Sequence, residues 1–243
     1  MNTLLRPIFT ALLLCASLFA QTSRAQSWVE PHHRLALAGA AQQPVAAITL
    51  DACGGAFDAQ LINLLVAQRV PATIFVTKKW LDRNAAGTAA LLAHPELFDL
   101  QDHGTAHVPA VIGRRVYRIA GEPDMAHVRS EVSGAAQAIT QLTGHAPHYY
   151  RGATAVYDRD AMRAIEGMGY AIAGFSVNAD AGATLSQSNI VARLRSVKHS
   201  DVIIAHMNKP AGSTYEAFAV ALPELLARGF RFVKLSDAHL VPV

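Results

Sequence analysis

Val45-Ala46-Ala47-Ile48-Thr49-Leu50-Asp51 is an apolar run ending in a carboxylate, and Gly54-Gly55 turns the chain just behind it. The pattern recurs. Leu97-Phe98-Asp99-Leu100-Gln101 leads to His103 and His107, and His148-Tyr149-Tyr150 leads to Arg151. Ala171-Ile172-Ala173-Gly174-Phe175-Ser176 precedes Asp180, and Val202-Ile203-Ile204-Ala205 ends at His206. Short apolar runs of this kind read as buried parallel strands. Acidic, imidazole and guanidinium groups at successive strand ends are how barrel-type α/β enzymes assemble a site from residues far apart in sequence.

Helical patterns alternate with these runs. Asp58 is placed to cap a helix carrying Leu61, Leu64 and Leu65, and Val70 to Val76 is the next strand, with Pro71 near its start. Further helices are expected from Asp124 to Leu142, from about Asp158 to Met168, and from Thr214 to Arg228. Gly144, Gly169 and Gly229 stop them, and Pro223 should kink or restart the last. Phe230 to Val233 is the closing strand. The alternation implies β/α units in an open sheet or a barrel. The stretch from Val108 to Asp124 reads as a long loop over one end, of the kind that serves binding sites.

The N-terminus reads as a secretory signal. Arg6 supplies a positive charge, Ile8 to Ala20 is an apolar stretch of 13 residues, and Ser23-Arg24-Ala25 ends in small residues. A membrane span needs about 20 residues, so cleavage near Ala25 is expected rather than anchoring, with export to the periplasm or beyond. The division is then 1–25 signal, 26–44 lead-in and 45–243 one catalytic-type domain. Loss of Arg6 and Arg24 lowers the net charge from +3 to +1. No run of like charges remains, so neither nucleic acid nor an anionic membrane surface is implied as a partner. Of the two cysteines, Cys53 alone would survive cleavage, which excludes an internal disulfide. Such a thiol is either buried and inert or a metal ligand.

The candidate residues carry distinct chemistries. His103 and His107 stand at i and i+4, a spacing that lets two imidazoles chelate one cation such as Zn²⁺. Asp102 adjoins them. Asp51 reads as a turn cap or a catalytic group, and Arg151 as a carboxylate-orienting group or a structural ion pair. His206 on its own reads as a structural residue.

Together these patches resemble the polysaccharide deacetylases of carbohydrate esterase family 4. The matching stretches are Thr49-Leu50-Asp51-Ala52, His103 through His107, Arg151-Gly152-Ala153-Thr154, Asn178-Ala179-Asp180, and Ile203-Ile204-Ala205-His206, in the family's order from about residue 45 to 237. The resemblance implies a distorted (β/α) barrel, a single domain that removes N- or O-acetyl groups from polysaccharides. It further implies a divalent metal, Zn or else Co or Ni, held by His103 and His107. Asp51 would be the base and His206 the acid, with Arg151 and Asp180 setting their ionisation. A backbone N–H near Thr154 would help hold the oxyanion. An acetylated glycan is the implied partner.

The match breaks at four places. Ala52 stands where the family has a second, metal-binding aspartate, and Gly104 follows His103 in place of Ser or Thr. Gly152-Ala153-Thr154 follows Arg151 in place of x-Pro-Tyr, and no tryptophan accompanies the fourth motif. Three accounts of Ala52 compete: Asp51 itself ligates the metal with a base such as Asp180; Asp102 or Cys53 fills the vacancy; or the metal site is lost. The first is preferred. The expected activity is thus a hydrolase acting on non-peptide C–N bonds or the matching esters. The alternatives are a catalytically silent glycan-binding relative and a metal-dependent amidohydrolase acting on a small amide.

Overall fold

The structure, a computed structural model, describes residues 28–36 and 43–243. Residues 1–25, read as the secretory signal, lie outside them. No helix among the described residues is long and apolar enough to cross a membrane.

The chain opens with β1 (His33–Ala36), β2 (Val45–Ala52), α1 (Ala59–Ala67), β3 (Ala72–Val76), α2 (Lys78–Arg83), α3 (Ala85–Leu92) and β4 (Phe98–Asp102). There follow β5 (Arg115–Val116), β6 (Ile119–Ala120), α4 (Met125–Thr143), β7 (Tyr149–Tyr150), α5 (Arg159–Glu166), β8 (Ala171–Ile172) and β9 (Val177–Asn178). The chain ends through α6 (Gln187–Arg195), β10 (Val202–His206), α7 (Thr214–Ala227), β11 (Arg231–Phe232) and β12 (His239–Pro242). The main sheet runs β8-β7-β4-β3-β2-β10-β9, with β11 beside the start of β2. Its pairings are all parallel, so the strand ends gather at one rim.

The sheet is a curled, incomplete barrel with β8 and β9 as its two edges. The lead-in bridges that opening. His33 N–H donates to the Phe175 carbonyl (3.2 Å), Gly174 N–H to His33 Nδ1 (3.0 Å), and Leu35 N–H to the Ser200 carbonyl (2.8 Å). β1 also pairs antiparallel with β12, so both termini of the described fold are stitched across the gap.

Two apolar layers sandwich the sheet. Ala46, Ile48, Leu50 and Ala52 of β2 pack outward against the helices, with Ile203 and Ala205 of β10. Val45, Ala47, Phe75, Val202 and Ile204 fill the interior. Side chains alternate along a strand. Thr49 and Asp51, sharing the parity of Val45 and Ala47, therefore face the barrel interior, as does His206 beyond Val202 and Ile204.

Local signals place most helix ends. Asp58 and Asp124 cap α1 and α4 by accepting from Leu61 N (3.0 Å) and His127 N (3.0 Å), and Gly144 ends α4 at φ +77°. α7 continues as one helix through Pro223, where a kink or restart is expected. Phe218, Ala221, Leu222 and Leu225 bury its inner face, and that packing offsets the hydrogen bond the proline removes. The expected loop after Val108 contains the hairpin β5–β6.

Candidate active site

Asp51 and His206 are direct neighbours in register across β2 and β10. Asp51 is buried and ion-paired to Arg151, whose Nη1 donates to Asp51 Oδ1 at 2.9 Å. The Arg151 guanidinium is itself fully buried. It also donates to Thr49 Oγ1 (2.8 Å), the Ala173 carbonyl (3.1 Å) and the Gly174 carbonyl (3.3 Å), and lies 4.2 Å from the Phe75 ring centroid. Every hydrogen bond that fixes the guanidinium also fixes the carboxylate. Burial alone would raise the Asp51 carboxyl, but the charges of Arg151, His103 and His206 outweigh it and hold it below its usual range.

His206 is held the same way. Its Nδ1 donates to Asp180 Oδ1 at 2.8 Å and its backbone N–H to Asp180 Oδ2 at 2.8 Å. The Thr214 hydroxyl also donates to Oδ2, at 2.9 Å. With Nδ1 occupied, Nε2 is the ring nitrogen left for chemistry. Burial works against a charged imidazole here, yet Asp180, aided by Cys53, keeps His206 well above its ordinary value.

The histidine pair is carried differently. His103 Nδ1 faces the Arg151 carbonyl at 2.6 Å; a carbonyl can only accept, so Nδ1 bears a proton and Nε2 is the ring nitrogen turned toward the cluster. Cys53 Sγ lies 3.4 Å from that Nε2. Cys53, His103 and His107 each offer a ligand atom, and the three atoms lie within 4.8 Å of one another. Among the described residues this is the one cluster of three such groups. Burial would raise the Cys53 thiol, but His103 and hydrogen bonds from His103, His107 and His206 hold it well below its usual value. Burial opposes charge on His103, while Asp51 and Cys53 carry it up to about 9.

The two accounts of the vacancy at Ala52 that keep a metal meet different geometry. Ala52 packs into the helix-side core, and the next residue, Cys53, turns its thiol into the cavity. Asp51 stands beside the cluster, with Oδ2 3.7 Å from His103 Nε2, but outside the converging trio. Asp102 points elsewhere. Its Oδ1 accepts from Gly104 N–H at 2.7 Å, and burial pushes its carboxyl well above the usual range.

The turn that carries His107 has a partner that sequence reading missed. Glu131, buried in α4, accepts from Ala106 N–H with both oxygens (3.0 Å) and from Val108 N–H (2.9 Å). His107 itself has φ +67° and Gly104 φ +88°. A Cβ at Gly104 would come within 2.5 Å of Glu131 Oε1, so only glycine fits there. Glu131 sits among Val128, Val132 and Ala135 on the buried face of its helix. A charge at a core position of the helical repeat was the signal that could have found it.

Asp51, Cys53, His103, His107 and His206 line one cavity of roughly 630 Å³, together with Thr154 and Asn208. The Thr154 hydroxyl and the Asn208 Oδ1 are buried there without a hydrogen-bond partner. Thr154 also adopts φ +68°. Orphaned polar atoms in a cavity are what a polar ligand would satisfy.

The model of the polysaccharide deacetylase family matches residues 38–173, more than half the chain. The chain belongs to the polysaccharide deacetylase family. No curated protein sequence matches it. Solved structures share the fold. A pseudoenzyme of carbohydrate esterase family 4 from Bacillus anthracis superposes with a TM-score of 0.67 at 14% identity, over 82% of this chain and 66% of that one. A family 4 acetyl xylan esterase from Clostridium thermocellum, in complex with a cobalt ion, gives 0.65 at 17% identity, over 79% and 89%. A family 4 carbohydrate esterase of Bacillus subtilis gives 0.65 at 17% identity, over 86% and 84%.

Proposed function

We propose that this protein is an exported, metal-dependent hydrolase that removes N- or O-linked acetyl groups from a polysaccharide or oligosaccharide. The observation that carries the reading is the convergence, in one cavity, of a Cys53–His103–His107 donor set with the buried Asp51–Arg151 and His206–Asp180 pairs. Buried ion pairs cost desolvation energy that an apolar core would avoid, so their retention together supports catalysis over a silent binding role. The cobalt ion in the Clostridium thermocellum esterase supports a divalent metal in this fold.

The donor set fits a metal. One thiolate and two imidazoles make a three-ligand set of the catalytic type, which leaves a fourth position open. The Arg151 carbonyl fixes the His103 tautomer from behind, the usual device for orienting a ligating imidazole. Cys53, His103 and His107 would hold the ion, most readily Zn, with Co or Ni as substitutes. When bound, it supplies Lewis acidity toward an acyl oxygen and toward water. Asp51, kept ionised by Arg151, accepts the proton of the attacking water as the oxygen adds to the acetyl carbon. The C–N or C–O bond breaks, and His206 gives its Nε2 proton to the departing nitrogen or oxygen. The free sugar amine or hydroxyl and acetate leave. Asp180 holds His206 in the tautomer this requires, and the Thr154 region donates toward the oxyanion.

The test is metal content and acetate release on the same preparation. About one Zn, Co or Ni per chain, lost in a His103→Ala, His107→Ala double variant, and acetate freed from an acetylated glycan are expected. Release from small amides alone would point to an amidohydrolase. Glycan binding with neither metal nor acetate release would establish the silent relative that Ala52 suggests.

A further inference from the structure

The hairpin β5–β6 does no work in the chemistry above, yet it reaches the same cavity through Tyr117 and Ile119. Tyr117 is the most exposed large apolar side chain along the rim, at 74% of its free surface. Tyr117 and Arg118 occupy the two central positions of a two-residue turn, at φ +47° and +70°. Such turns favour Asn and Gly because L side chains crowd the backbone there. A tyrosine and an arginine at both positions carry a conformational cost that folding does not need.

The hairpin base, by contrast, is firmly built. Gly113 N–H donates to the Glu122 carbonyl (2.8 Å) and Gly121 N–H to the Arg114 carbonyl (2.7 Å). Fully buried Asp158 accepts from Ile112 N–H (2.8 Å) and from the Arg114 guanidinium. Val116 is buried with Val111 and Val156. A fixed base that presents an exposed ring over a catalytic cavity is a platform.

We propose that Tyr117 stacks against a sugar ring adjoining the one whose acetyl group is cleaved, making the β5–β6 hairpin a subsite for a glycan chain. The proposal rests on the glycan reading of the site and sharpens it. Pyranose rings carry a face of C–H groups that packs on aromatic faces. A small amide confined to the cavity floor would not need the rim. Phe175 is the other Phe, Tyr or Trp side chain lining the cavity and it is buried, so Tyr117 is the ring a glycan chain can reach from solvent.

The experiment titrates the full-length, metal-loaded protein with chitooligosaccharides and acetylated xylooligosaccharides of one, two and four units, by calorimetry. Affinity is expected to rise by about tenfold from one unit to the longer chains, the scale of one aromatic contact. Tyr117→Ala should erase that rise, and Tyr117→Phe should keep it. Tyr117→Asn suits the turn backbone and removes only the ring, so its loss of the rise cannot be laid to a collapsed hairpin. An equal rise in the wild type and both ring-deleted variants, or no glycan binding at all, overturns the proposal. Ring-dependent binding without acetate release keeps the platform and sinks the hydrolytic reading. Acetate release with ring-independent binding does the reverse.

Discussion

On one side of the cavity, Asp51 and His206 stand paired in register at two strand ends, each clamped by a buried partner, Arg151 or Asp180. On the other side, Cys53, His103 and His107 ride on turns, with left-handed backbone at Gly104 and His107 and a carboxylate from α4 holding the loop. The sheet ladder sets the first group and makes it part of the core. The second is set by local loop geometry, and its partners can change without cutting into the barrel. The proposed proton-transfer groups are thus wired to the fold's stability, while the proposed metal donors are wired to loops.

The contrast predicts where damage spreads. Arg151→Met strands the Asp51 charge in the interior, and about 3–5 kcal/mol of unfolding free energy should be lost. Urea unfolding measures it; a variant as stable as the wild type would break the contrast at its strongest point. Asp180→Asn frees His206 from its required tautomer, and acetate release should fall by about 10²–10⁴-fold. Metal content should be unchanged, which elemental analysis checks. Cys53→Ser removes a proposed ligand on the loop side. Metal affinity should drop by about a hundredfold while the melting temperature of the metal-free protein stays put. Unaltered affinity would return the third-ligand role to Asp51. The smallest effect is expected of Glu131→Gln, which puts an N–H₂ where the backbone of Ala106 and Val108 already donates. Roughly tenfold weaker metal binding, read by competition with a chelator, would fit a supporting residue of this kind.

Legibility in the sequence follows the same line. The strand ends were readable because apolar runs closed by a polar group have a period and a stop: Leu50 then Asp51, Ala205 then His206. Asp124 and Gly144 marked the bounds of α4 because caps act within three or four residues. Asp102 was a natural candidate for the vacant ligand position from its place beside His103, but strand parity turns it away from the cluster. Cys53 could be named as a candidate and no more, since its usefulness depends on the backbone turn after Ala52. Glu131 lies 23 or more residues from the loop it holds, and the bridging of the barrel's open edge by residues 33–36 spans a still longer separation.

The sequence by itself determined the alternation of most core strands with the longer helices, the family, and which side chains arrive at the sheet's rim. Those follow from periodicity and local capping, which are written within a few residues of one another. The tertiary structure alone decided that Ala52 faces the helices while Cys53 faces the histidines, and that Arg151 spans the barrel to Asp51. It also set Tyr117 above the cavity. Each of these depends on which faces of distant strands end up opposed, and curling the sheet settles that only when the two apolar layers close around it.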